Sequence, residues 1–171
     1  MEVNVAQLLK ERTGVVRPYH LAGEELEVEG ERRGVEGEVF LMRTDSGIWV
    51  SASLNVRTAQ QCSRCLKPFP QPMAVSFEEE YFPVIDVNTG AALKVPHEGS
   101  FTIDHHHILD LREAVRQYAL AVFPMKPLCS ETCKGLCSHC GADLNKGACL
   151  CSHEAIDPRL LPLKQLLKGR R

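Results

Sequence analysis

The sequence predicts an α+β chain: an antiparallel β-rich core, one long helix packed on it, and a cysteine-rich module near the C-terminus. Three observations lead there. Apolar residues alternate with period two across residues 25–82 and recur at helical spacing across 108–122. Eight cysteines fall in close pairs, six of them between positions 129 and 151. The 171 residues are 44% hydrophobic and 25% charged, an ordinary globular composition that argues against disorder, collagen or coiled coil.

Along the chain, Asn4–Arg12 carries Val5, Leu8 and Leu9 at helical spacing and predicts a short helix ending before Gly14. Leu26/Val28, then Val35/Val39/Leu41, then Ile48/Val50/Ala52/Leu54/Val56, then Val75/Phe77/Tyr81 read as half-buried strands. Arg43–Gly47 is a turn, so residues 24–60 form an antiparallel meander. Cys62 and Cys65 occupy the turn between Ile48–Gln61 and Met73–Tyr81, bounded by Pro68, Pro70 and Pro72. Residues 83–100, with Pro83, Gly90, Pro96 and Gly99, predict an exposed loop, and Phe101–Ile103 a last short strand.

Ile108, Leu111, Val115, Tyr118 and Val122 predict the long helix over about residues 106–122. Asp104 or the histidines after it would start this helix, and Pro124 and Pro127 stop it. No hydrophobic pattern survives in 128–153. Asp157 and Pro158 then look like an N-cap and first helical residue, followed by Leu160, Leu163, Leu166 and Leu167, with Pro162 distorting the first turn. The expected division is a core over 1–127 and a cysteine module with C-terminal helix over 128–171.

The net charge of −2 excludes a bulk polycation. Charge is uneven: Glu154–Arg171 holds five basic and two acidic residues, and Glu24–Glu38 has seven Glu against two Arg. The longest stretch without Asp, Glu, Lys or Arg is Ser46–Val56, eleven residues, where a membrane helix needs about 18. Met1–Arg12 has no apolar run of signal-peptide length. The expected location is cytoplasmic.

A cytosolic chain keeps thiols reduced, so close cysteine pairs read as zinc ligands rather than disulfides. Cys137-Ser-His-Cys140-Gly141 has the form of a zinc knuckle, with Cys149 and Cys151 the nearest partner pair. Cys62, Cys65, Cys129 and Cys133 could make a second site. A single site drawn from Cys129, Cys133, Cys137, Cys140, Cys149 and Cys151 is the rival, with His139 and His153 as spare ligands. Four thiolates close the coordination sphere and imply structural Zn²⁺, one ion or two. No H-E-x-x-H, deaminase, P-loop, dinucleotide or nucleophile-elbow motif is present. Cys62 and Cys65 stand between strands, not between a strand and a helix, which argues against a redox C-x-x-C. His105, His106 and His107 read as a polar loop, because neighbours on an extended chain point alternately. Glu78, Glu79, Glu80, Asp110 and Glu113 read as surface charges.

Cys62-Ser-Arg-Cys65-Leu66 and Phe77-x-Glu79-x-Tyr81 resemble the central signature of the YceD family, the large ribosomal RNA subunit accumulation proteins. The resemblance continues through Leu111-Arg-Glu113, Pro124-x-Lys126-Pro127-Leu128-Cys129, Cys133-Lys-Gly-Leu-Cys137-x-x-Cys140-Gly141-x-Asp143-Leu144-Asn145 and Cys149-x-Cys151. Asp157-Pro-Arg-Leu160 and the leucine-rich tail close it. It implies a non-enzymatic factor in ribosome biogenesis, acting on 23S rRNA accumulation through processing, stability or early assembly. The implied partners are the large-subunit rRNA precursor or pre-ribosomal proteins, with no membrane and no small-molecule substrate. Some members resemble this chain only in the first C-x-x-C, which leaves Cys62 and Cys65 as the better shared site. Candidate RNA or partner contacts are Arg64, Lys67, Lys134, Lys146, Lys164, Lys168, Arg170 and Arg171. The alternatives are an adaptor that binds a ribosomal protein or nuclease through the acidic tract, and a metal-dependent nuclease, for which no open metal position or carboxylate pair is visible.

Overall fold

The structure, a computed structural model, describes residues 1–28 and 30–151. The chain forms two compact units: Met1–Gln60 with Pro68–Pro127, and Gln61–Lys67 with the chain from Leu128 onward. The expected C-terminal helix and His153 lie outside the described residues.

The first unit is strand-rich. Its elements are β1 (Glu2–Asn4), α1 (Ala6–Leu9), β2 (Val16–Val28), β3 (Glu31–Arg43), β4 (Ile48–Gln61), β5 (Pro68–Pro83), β6 (Thr102–Ile103), β7 (Ile108–Asp110) and α2 (Arg112–Val122). The strands form one half-barrel sheet in the order β1-β7-β6-β5-β4-β3-β2. β2, β3 and β4 are antiparallel neighbours. Register sets core residues opposite one another: Val35↔Val56, Val39↔Ala52 and Leu41↔Val50. All six are buried.

β2 begins nine residues before the expected alternation, because Val16 and Pro18 face outward and the core-facing Tyr19 and Leu21 are out of step with Leu26 and Val28. A bulge between Leu21 and Glu24 then swaps the faces, so that Leu21 is buried before it and Leu26 and Val28 after it. Among the described residues β6 pairs only with Phe82 and Pro83 of β5, so Pro68, Pro70 and Pro72 stand where that edge has no described ladder partner, a place that tolerates proline.

The long helix is shorter than the spacing predicts. Residues 106–110 are not helical: Asp104 accepts the N–H groups of His106 (2.9 Å) and Ile108 (2.7 Å), and His107 turns the chain at φ 61°. Ile108–Asp110 then pairs with β1, a partner more than a hundred residues away. The helix starts at Arg112, after Leu111, and buries Ala114, Val115 and Ala119. It packs against both β5 and β2. Tyr118 stacks on Phe77 with ring centroids 4.9 Å apart, and its hydroxyl donates to Glu79. The 83–100 segment is a loop with one bridge, Ile85↔Ala92. No helix among the described residues is long and apolar enough to cross a membrane.

Candidate metal centres

The second unit carries all eight cysteines as free thiols. Two of its loops share one backbone pattern. In the first, the Cys62 N–H donates to Lys67 O (2.9 Å) and the Leu66 N–H returns to Cys62 O (2.9 Å). In the second, the Cys137 N–H donates to Ala142 O (2.8 Å) and the Gly141 N–H to Cys137 O (2.9 Å). The fifth residue of each loop is left-handed: Leu66 at φ 59° and Gly141 at φ 71°. Both C-x-x-C segments are therefore knuckles. The glycine marks the second in the sequence, and a leucine in a glycine-favouring conformation conceals the first.

Each knuckle meets a separate cysteine pair. Cys62, Cys65, Cys129 and Cys133 form one cluster and Cys137, Cys140, Cys149 and Cys151 the other, with the sulfurs of each set within 4.8 Å of one another. In the first, Cys62 Sγ lies 3.9 Å from Cys133 Sγ and Cys65 Sγ 3.7 Å from Cys129 Sγ. Neither cluster includes a histidine among the described residues. His139 is exposed, and its backbone N–H donates to Cys137 Sγ at 3.4 Å. His105 and His106 pack ring on ring, 4.0 Å between centroids, in the β6–β7 turn of the other unit.

Surrounding residues hold the ligand loops. Arg64 Nη1 donates to Cys133 O (2.8 Å) and Glu131 O (3.3 Å), and Arg64 O accepts the Leu136 N–H (3.1 Å). Gly135, at φ 76°, lets the chain pass there, since a Cβ would stand 3.0 Å from Arg64 O. Asn145 donates to Cys133 Sγ at 3.4 Å and accepts the Lys134 N–H at 2.8 Å. Lys67 pairs with Asp143, which holds that carboxyl down at about 2. Of the expected contact residues, Arg64 and Lys67 are thus engaged inside this unit. Lys134 and Lys146 are exposed and form no ion pair among the described residues. Lys164, Lys168, Arg170 and Arg171 lie outside those residues. The roles of Asn145 and Asp143 escape a reading of the cysteine spacing alone.

The electrostatics within each cluster are lopsided. The Cys62 thiol is drawn down to about 6, chiefly by hydrogen bonds from the backbone of Cys129 and Cys65. Cys137 falls to about 6 through the backbone of Cys140 and His139. Their neighbours move the other way: Cys129 and Cys151 rise to about 12, pushed by adjacent cysteine sulfurs. Four thiolates this close repel one another, so full deprotonation of either cluster calls for a cation at its centre.

A profile described as Large ribosomal RNA subunit accumulation protein YceD matches residues 50–167, which includes every cysteine. The chain belongs to the YceD family. An uncharacterized protein of Mycobacterium tuberculosis is 29% identical over 121 residues, 71% of this chain and 56% of that protein. The YCED homolog 1 of Zea mays, named a chloroplastic large ribosomal RNA subunit accumulation protein, is 30% identical over 131 residues, 63% of this chain and 44% of that protein. Its Arabidopsis thaliana counterpart is 34% identical over 58 residues, 34% of this chain and 18% of that protein. The chain thus spans about half the length, or less, of these curated relatives. No solved structure matches.

Proposed function

We propose that this chain is a non-enzymatic factor for accumulation of large-subunit ribosomal RNA, held together by two structural zinc ions. The observation that carries the metal reading is the grouping of eight sulfurs into two sets of four. A zinc–sulfur bond of about 2.3 Å places tetrahedral sulfurs about 3.8 Å apart. The 3.7 and 3.9 Å separations in the first cluster fit that donor set. Bound zinc would supply a cross-link and the charge that keeps four thiolates together. With protein sulfur at every corner, no position is left for a water or substrate, which supports a structural role. A reducing compartment such as the cytoplasm suits eight cysteines held as thiols.

The RNA part of the reading rests on the family and on the names of the plant relatives. Lys134 and Lys146 are its best placed contacts among the described residues. Depleting the protein in its host should lower large-subunit rRNA relative to small-subunit rRNA, and the unaltered gene should restore it. Lys134→Glu with Lys146→Glu should restore it poorly while keeping full zinc content. Restoration equal to the unaltered gene would remove these two lysines from the function. No change in rRNA on depletion would sink the reading itself.

Acid should strip the metal. Protons compete for the sulfurs, and the most acidic thiols, Cys62 and Cys137, sit at about 6 against an ordinary 9.0. Zinc release into a colorimetric chelator should therefore rise as pH falls below about 6. Release that does not rise between about pH 7 and about pH 5 would contradict the lowered thiols of the two knuckles.

A further inference from the structure

The outer face of the half-barrel carries aromatic and apolar side chains where an exposed sheet face ordinarily carries polar ones. Register aligns Val16, Met42 and Trp49 in a row across β2, β3 and β4. Phe40 stands in the next row, with Val16 49% and Phe40 43% exposed. Trp49 and Phe82 share a cleft of about 360 Å³ with Glu78 and Glu80. Single exposed apolar residues need no explanation, but a contiguous row rimmed by charge marks an interaction surface.

The charge around this row has one sign. Further along the face, Glu36 pairs with Arg57 and Glu25 with Arg32. Near the aromatic row the carboxylates have no such partner. Glu38 and Glu78 are exposed and form neither an ion pair nor a hydrogen bond among the described residues. Glu80 accepts from the hydroxyls of Thr44 and Ser46, both at 2.6 Å.

We propose that this face docks a lysine- or arginine-rich segment of a partner protein, with one cationic side chain entering the cleft between Trp49 and Glu78. An indole face attracts a guanidinium or ammonium, and a carboxylate beside it completes the site. Val16, Phe40 and Met42 would receive the apolar residues of the same segment. Nucleic acid is the wrong chemistry here, because its phosphates would meet Glu38, Glu78 and Glu80. A second copy of this chain would bring the same carboxylates together. The inference goes beyond the zinc reading and uses no cysteine, so either can fail alone.

The sequence has a single tryptophan, so fluorescence of the full chain reports Trp49 directly. The test is to pan displayed random 16-residue peptides against the full protein, then titrate synthetic versions of the recovered peptides while reading Trp49 emission. Recovered peptides should be rich in Arg and Lys interleaved with apolar residues, and should shift the emission saturably. Glu38→Gln with Glu78→Gln, both on the solvated face, should weaken them roughly tenfold. Recovery of neutral or acidic peptides, an unmoved Trp49, or an affinity unchanged by the double substitution would each overturn the proposal. So would a saturable Trp49 response to a 16-nucleotide RNA, or self-association that shifts Trp49 emission as protein concentration rises.

Discussion

Cys62→Ser protein is expected to hold one zinc, against two expected in the unaltered chain, and to expose three reactive thiols, Cys65, Cys129 and Cys133. The cysteine lost is fully buried, and its sulfur clusters with Cys65 and with one distant segment that carries Cys129 and Cys133. Structural zinc in small modules contributes on the order of 10–16 kcal/mol of binding free energy, which is also folding free energy. Truncating one ligand forfeits a large share of it. The first knuckle and the Cys129–Cys133 segment should then become protease-sensitive. Cys140→Ser should do the same to the second cluster and free Cys137, Cys149 and Cys151. Elemental analysis together with thiol titration decides the matter. Two zincs retained in either variant would mean that the substituted sulfur is not a ligand. Loss of both zincs from one substitution would mean that the clusters do not form independently.

Gly47→Ala should destabilise the first unit by about 3 kcal/mol, since overpacking costs typically 1–3 kcal/mol and here the obstacle is backbone. A Cβ on Gly47 would stand 2.1 Å from Tyr81 O and 3.0 Å from the carbonyl carbon behind it. Neither atom can swing aside as a side-chain tip would. Tyr81 is among the largest fully buried side chains of the core, so a shift there disturbs β5 and its neighbours. Thermal melting followed by far-ultraviolet circular dichroism should show a drop of roughly 10 °C. Gly34→Ala, where the backbone needs no glycine and a Cβ meets only Arg57 Cδ at 3.9 Å, serves as the control without a clash. An unchanged melting point for Gly47→Ala would mean that β4 and β5 lie further apart than described.

Much of the sheet was legible because its strands bury one face only. The alternation Ile48/Val50/Ala52/Leu54/Val56 maps directly onto the core side of β4. Elements that depend on distant partners were not legible. Ile108–Asp110 has the spacing of a helix, yet β1 takes it as a strand, and nothing within a local window reveals that competition. The first stretch of β2 was hidden because Val16 and Pro18 point outward and the bulge after Leu21 breaks the alternation. In the second unit, the cysteine pairs were visible, while their grouping was open between one site and two. Spatial proximity decides the grouping: Cys65 and Cys129 are 64 positions apart in sequence and 3.7 Å apart at sulfur. Leu66 gave no sign of a knuckle, because only the backbone reveals its left-handed turn.

The discontinuity of the second unit has a consequence for synthesis and for dissection. Its first ligand pair, on the turn Gln61–Lys67, leaves the ribosome more than sixty residues before Cys129 and Cys133. During translation, Cys62 and Cys65 must wait as an incomplete pair while β5 to α2 are made. A fragment starting at Leu128 inherits all the ligands of one cluster and half those of the other. It should bind a single zinc and leave Cys129 and Cys133 open to oxidation. Residues 1–127 alone carry the complementary orphan pair. A cut between the two segments of sequence therefore never coincides with the boundary between the two units of structure.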